Sequence, residues 1–234
     1  MTRITDQLQA IRQRIAAAEV RFERIPGSVQ LLAASKGQPL AALREALAAG
    51  QRCFGESYAQ EALGKIAALT DSAPEWHFIG PLQRNKSRSV ATNFAWVHSL
   101  DRLALAERLH AQRPAHLPAL QVCIEVNISG EASKSGVAPA DLPALAAAIA
   151  ELPRLRLRGL MALPAPASAF AAQLAACQRL QALHADLRSL GHPLDTLSMG
   201  MSDDLEAAIA AGATIVRVGT AIFGERHQNV AGGE

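Results

Sequence analysis

The sequence predicts an α/β fold, a single (β/α)8 TIM barrel with an extra N-terminal helix, on three observations. Short β-type runs alternate with helical runs along the chain. There are eight β-type runs, and a helical run follows each of the first seven. No linker, low-complexity stretch or shift in composition divides the 234 residues. Strands separated by helices must run parallel, because a return to the same sheet edge needs the crossover helix. Eight such units in a chain of this length fit a closed barrel better than an open doubly wound sheet.

The first element is the extra helix, within residues 1–24. Ile4, Leu8, Ile11 and Ile15 stand at spacings of four, three and four, one apolar stripe, and Pro26-Gly27 ends it. Then follow a strand at 29–35, a helix at 40–49 stopped by Gly50, a strand at 53–55 and a helix at 58–69. A strand at 76–79 leads to a polar helix around 85–90, and a strand at 96–98 to a helix at 102–112 broken by Pro114. The second half repeats the rhythm: strand 120–127, Ala-rich helix 142–151, strand 155–161, long helix 167–190 ended by Gly191. A short strand at 196–199, a helix at 204–211 and a last strand at 215–218 complete the barrel. One domain is expected over residues 1–234, with 225–234 as a flexible tail.

Composition narrows the function classes. Half of the residues are apolar but only 4% are aromatic, so Ala, Leu, Ile and Val must fill the core. With 23 basic and 21 acidic residues the net charge is +2, too balanced for a nucleic-acid or polyanion binder. Cys53, Cys123 and Cys177 are far apart and odd in number, which suits free thiols in a reducing cytosol. Charges at Arg3, Asp6, Arg12 and Arg14 precede no apolar leader. No window approaches the roughly 18 apolar residues of a membrane span. A cytoplasmic protein is expected.

In such a barrel the chemistry lies at the C-terminal ends of the strands, and phosphate commonly binds after strands seven and eight. Lys36 follows the apolar run Leu31-Leu32-Ala33-Ala34. Desolvation there disfavours an ammonium and frees an amine nucleophile for a carbonyl, although a lysine snorkelling to water fits the position as well. Ser198 to Ser202 and Gly219-Thr220 supply hydroxyls and N–H groups where a phosphate can approach, or simple turn geometry. Ser202-Asp203-Asp204 also reads as a helix cap and is left out of the site. Arg217 faces opposite to Val216 and Val218, toward the barrel interior, where it needs an acceptor. A pyridine nitrogen serves, and so does an ion pair with Glu56 or Glu125.

Other motifs carry less. Gly50 and Gly55 have P-loop spacing, but Glu56 stands where the lysine belongs. Arg84, Lys86 and Arg88 fit a solvated helix face, and Lys134 a loop lysine. His77 and His98, placed at the barrel mouth, lack a carboxylate at ligand spacing, so no metal site is expected.

Taken in order, several segments carry a resemblance. They are Ala34-Ser35-Lys36, Phe54-Gly55-Glu56-Ser57-Tyr58, Trp76 through Gln83, and Asn85-Lys86. Ser133-Lys134-Ser135-Gly136, Arg158 through Met161, Leu197 through Asp203 and Arg217 through Gly224 follow. Together they resemble the YggS/PROSC family of pyridoxal phosphate homeostasis proteins, similar in fold to the N-terminal barrel of alanine racemase. The resemblance implies that Lys36 holds pyridoxal 5′-phosphate covalently as an internal aldimine and that Arg217 faces the pyridine nitrogen. It implies that Ser198, Gly219 and Thr220 hold the phosphate. The implied role is non-catalytic: a monomer that takes part in intracellular vitamin B6 homeostasis and delivers the cofactor to apo-enzymes. Two positions depart from the family pattern, Ser57 where asparagine is usual and Gln38 where a second lysine is expected.

The competing reading is an amino-acid racemase or a weak transaminase. Racemisation needs two bases on opposite faces of the substrate, and Lys36 supplies one. The only tyrosine is Tyr58. An arginine at the ring nitrogen also weakens the electron sink that carbanion chemistry uses.

Overall fold

Each β-type run becomes a strand, and the eight strands pair side by side in chain order. The computed structural model describes residues 3–131 and 135–224. The strands are β1 (Gln30–Ala34), β2 (Cys53–Glu56), β3 (Glu75–Phe78), β4 (Trp96–Leu100), β5 (Leu120–Glu125), β6 (Leu155–Met161), β7 (Thr196–Ser198) and β8 (Ile215–Val218). All pairings are parallel, and β1 closes on β8 with Leu32 opposite Arg217. The expected closed α/β barrel is what forms.

The crossover helices are α2 (Leu40–Ala48), α3 (Ala59–Ala68), α4 (Ser87–Asn93), α5 (Leu103–Gln112), α6 (Leu142–Ala150), α7 (Phe170–Ser189) and α8 (Leu205–Ala210). The extra helix α1 (Ile4–Arg21) buries Leu8, Ile11 and Ile15, as their spacing demands, against α2, α8 and the short α9 (Thr220–Phe223). Its buried Glu19 accepts the backbone N–H groups of Gly27 and Val29 at 2.9 and 2.8 Å, which stitches the helix to the entry of β1. Helix α9 was not expected: four residues are too few to show a helical period.

Two apolar clusters result from the alternation of each strand's side chains between the two barrel faces. The larger fills the layer between strands and helices, with Phe54, Phe78, Val97, Ile124 and Val216. The smaller, Trp96, Cys123 and Met161, belongs to the opposite face of its strands, the barrel interior. His77, His98, Ser198 and Arg217 share that interior, each 5% exposed or less. No helix among the described residues is long and apolar enough to cross a membrane. The expectations for Lys134 and for a tail at 225–234 fall outside the described residues.

Candidate functional site at the C-terminal face of the barrel

A cavity of about 470 Å³ opens where the strands end. Lys36 lines it from the turn after β1, Ile79 from the end of β3, Leu163 from the end of β6 and Ser202 from the loop after β7. Arg217 lines it from β8 itself, and Gly219 and Thr220 from just beyond. Of the five residues expected to form the site, four therefore come together here: Lys36, Arg217, Gly219 and Thr220. A larger hollow of about 640 Å³ lies on the outer side of the same turn, walled by Leu40, Glu61 and Lys65. Its two charged groups are already paired with each other, so it offers less chemistry.

The turn that carries Lys36 is tied from below. Gly37 adopts a φ of +71°, where a side chain would be strained. Its N–H donates to Glu61 Oε1 at 2.7 Å, and Lys65 Nζ donates to the Ser35 carbonyl at 2.8 Å. The same ammonium reaches Glu56 Oε1 at 2.8 Å and Glu61 Oε1 at 2.6 Å. Burial pushes the Glu56 carboxyl up against the opposing pull of Lys65. Glu56 is thereby committed to Lys65.

Arg217 donates through Nη1 to the Ser198 carbonyl and hydroxyl, at 2.6 and 2.7 Å, and through Nη2 to the Ala162 carbonyl at 2.9 Å. These acceptors are neutral, while Glu125 and Asp204 act on the guanidinium only through space. Burial lowers its pKa to about 10, so it stays protonated at neutral pH. Glu125, at the end of β5, is pushed up to about 7 by burial, with the Asp101 charge adding to the shift.

Ser198 does not line the cavity. Its fully buried hydroxyl is engaged by Arg217 and by His98 Nδ1, 2.8 Å away. Ser202, set aside in the sequence as part of a cap, lines the cavity instead. The bond that shapes that loop comes from Asp204, whose Oδ1 accepts the Met201 N–H at 2.6 Å. Gly200, with φ +95°, turns the chain between the two serines, and its carbonyl accepts the Arg217 N–H at 2.9 Å. Gly219 needs no unusual dihedral, but a Cβ there would lie 3.1 Å from the Ala34 carbonyl, on the cavity wall.

His77 and His98 lie inside the barrel and not at its mouth, and a carboxylate does stand beside His77. Glu75 Oε1 is 2.9 Å from His77 Nε2. Cys53, Glu75 and His77 bring candidate ligand atoms within 4.8 Å of one another. The carboxylate is held below the usual range by the His77 hydrogen bond, and the Cys53 thiol is pushed up to about 11 by burial. Arg84 and Arg88 are exposed, and they do not line the cavity.

Residues 7–227 match the family described as alanine racemase, N-terminal domain. The pyridoxal phosphate homeostasis protein of Pseudomonas aeruginosa is 61% identical over 226 residues, 97% of this chain and 97% of that protein. The chain belongs to the pyridoxal phosphate homeostasis protein family. The Escherichia coli K12 member is 54% identical over 229 residues, 97% of this chain and 98% of that protein. A solved family structure, PipY of Synechococcus elongatus with PLP bound, superposes with a TM-score of 0.83 at 40% identity, covering 94% of this chain and 100% of that one. The Ser57 hydroxyl, just after β2, is buried and has no hydrogen-bond partner among the described residues.

Proposed function

We propose that this chain holds pyridoxal 5′-phosphate in the cavity, covalently through Lys36, as a reserve of cofactor that passes to apo-enzymes in the cytoplasm. The protein acts as a monomer in this reading and turns over no substrate of its own. When bound, the cofactor supplies an aldehyde that condenses with an amine and a ring that withdraws electrons.

The residues present fit that group. Among the described residues that line the cavity, Lys36 brings the only lysine amine. Gly219 lets a ligand approach the backbone closely, and the Thr220 and Ser202 hydroxyls suit phosphate oxygens. Ser198 we assign to holding Arg217, since its hydroxyl already has two partners.

The observation that carries the non-catalytic reading is the buried Arg217. A guanidinium has donors and no acceptor, so a ring nitrogen facing it must offer its lone pair and stay unprotonated. An unprotonated ring is the weaker electron sink. The chain's one tyrosine is not placed to serve as a second base: Tyr58 is 61% exposed and does not line the cavity.

Titration of the purified protein with pyridoxal 5′-phosphate tests this reading. A visible absorption band is expected in the parent protein and none in Lys36→Ala, with no more than a trace of alanine racemisation in either. Robust turnover of one amino acid, lost in both Lys36→Ala and Tyr58→Phe, would overturn it.

A further inference from the structure

A line of hydrogen bonds crosses the barrel interior from its N-terminal end to the cavity. Glu75 Oε1 meets His77 Nε2 at 2.9 Å, His77 Nδ1 meets His98 Nε2 at 2.9 Å, and His98 Nδ1 meets Ser198 Oγ at 2.8 Å. Arg217 Nη1 closes the line on Ser198 Oγ at 2.7 Å. The four inner groups are buried, while the Glu75 side chain is 44% exposed.

The protons along this line follow from its ends. Arginine only donates, so the Ser198 oxygen accepts from Arg217, and its O–H goes to His98 Nδ1 when both rings are neutral and Glu75 accepts at the far end. His98 then carries its proton on Nε2 and gives it to His77 Nδ1. His77 in turn carries its proton on Nε2 and gives it to Glu75. The other end decides the direction, because a carboxylate only accepts, and a neutral ring that donates from Nε2 is bare on Nδ1. Burial disfavours the charged form of both imidazoles, which agrees with one proton on each. His77 is further fixed by stacking on Trp96, with ring centroids 5.3 Å apart and planes 7° from parallel.

We propose that Glu75, His77 and His98 are positioning residues that act through Ser198 on Arg217, so that a carboxylate at the far end of the barrel helps to set the cation at the cavity. Every bond points the same way, from the guanidinium toward the carboxylate. Aligned bonds polarise one another, which makes the Ser198 oxygen a better acceptor and fixes the plane of the guanidinium. The cofactor readout of this proposal rests on the function proposed above; the proton placement does not.

Two measurements test it. In ¹⁵N-histidine-labelled protein without cofactor, NMR at neutral pH should show both His77 and His98 protonated on Nε2 and bare on Nδ1. An Nδ1 proton on either ring overturns the proposal, whether or not the protein binds the cofactor. In protein loaded with pyridoxal 5′-phosphate, Glu75→Ala should shift the absorption band in the same direction as Arg217→Lys. It should also weaken retention by roughly 2–30-fold. Glu75→Gln, whose amide oxygen still accepts from His77, should restore both. Glu75 is on the surface, so its variants should fold even where His98→Leu does not. A Glu75→Ala protein with lower stability but an unchanged band and retention would reduce Glu75 to a local structural role and overturn the proposal. Absence of any band in the parent protein would sink the cofactor reading alone, with the NMR result still deciding the line of hydrogen bonds.

Discussion

Glu61 Oε1 accepts both the Gly37 N–H and the Lys65 ammonium, and so joins the turn after Lys36 to a buried ion pair. Lys65 also faces Glu56, whose side chain is fully buried. Lys65→Met therefore leaves an uncompensated buried carboxyl and should destabilise the fold by about 3–5 kcal/mol in chemical denaturation. The double variant Lys65→Met, Glu56→Leu should recover most of that loss, because apolar groups in place of a buried pair are often neutral. Equal destabilisation in the single and double variants would show that packing, and not charge, decides the effect.

Glu125 should make stability fall with rising pH. Its carboxyl is raised from 4.5 to about 7, so the folded state holds a proton that the unfolded state has released across that window. The contribution is complete below pH 4.5 and is lost as pH passes about 7. Over that interval ~1–3 kcal/mol should disappear. Glu125→Gln should flatten this part of the profile in thermal melts from pH 4 to 8, and an unaltered profile would locate the dependence elsewhere.

The two serines around Gly200 should behave differently. Ser202→Ala should weaken retention of pyridoxal 5′-phosphate by about 1.5–3 kcal/mol, the value of a hydrogen bond to a charged oxygen, and leave pyridoxal unaffected. Ser198→Ala should affect both ligands alike, since it removes a partner of Arg217. Equilibrium dialysis against each ligand separates these outcomes. The reverse pattern would return Ser198 to the phosphate.

The barrel was legible because parallel strands and their crossover helices have different apolar periods. The bounds of β6 and β8 match the expected 155–161 and 215–218. That Lys36, Arg217, Gly219 and Thr220 meet at one cavity was legible because a strand's end fixes what reaches the mouth. Ser198 and Ser202 were not separable in this way. One ends a strand with its side chain inside, the other follows a left-handed glycine, and only the three-dimensional path tells them apart. The interior polar line was hidden for a related reason. The sequence placed β3 at 76–79, whereas it begins at Glu75, so the carboxylate two residues before His77 was left off the strand. Histidines that satisfy one another inside a barrel leave no mark in an apolar pattern.

Everything proposed for the cavity depends on Lys36 as the point where the cofactor attaches. Borohydride reduction of the protein loaded with pyridoxal 5′-phosphate, followed by proteolysis and mass spectrometry, reads the attachment point directly. A phosphopyridoxyl group is expected on the peptide that contains Lys36, at near one equivalent, and should be lost in Lys36→Ala. A stoichiometric adduct on a different lysine, with Lys36 unmodified, would contradict it.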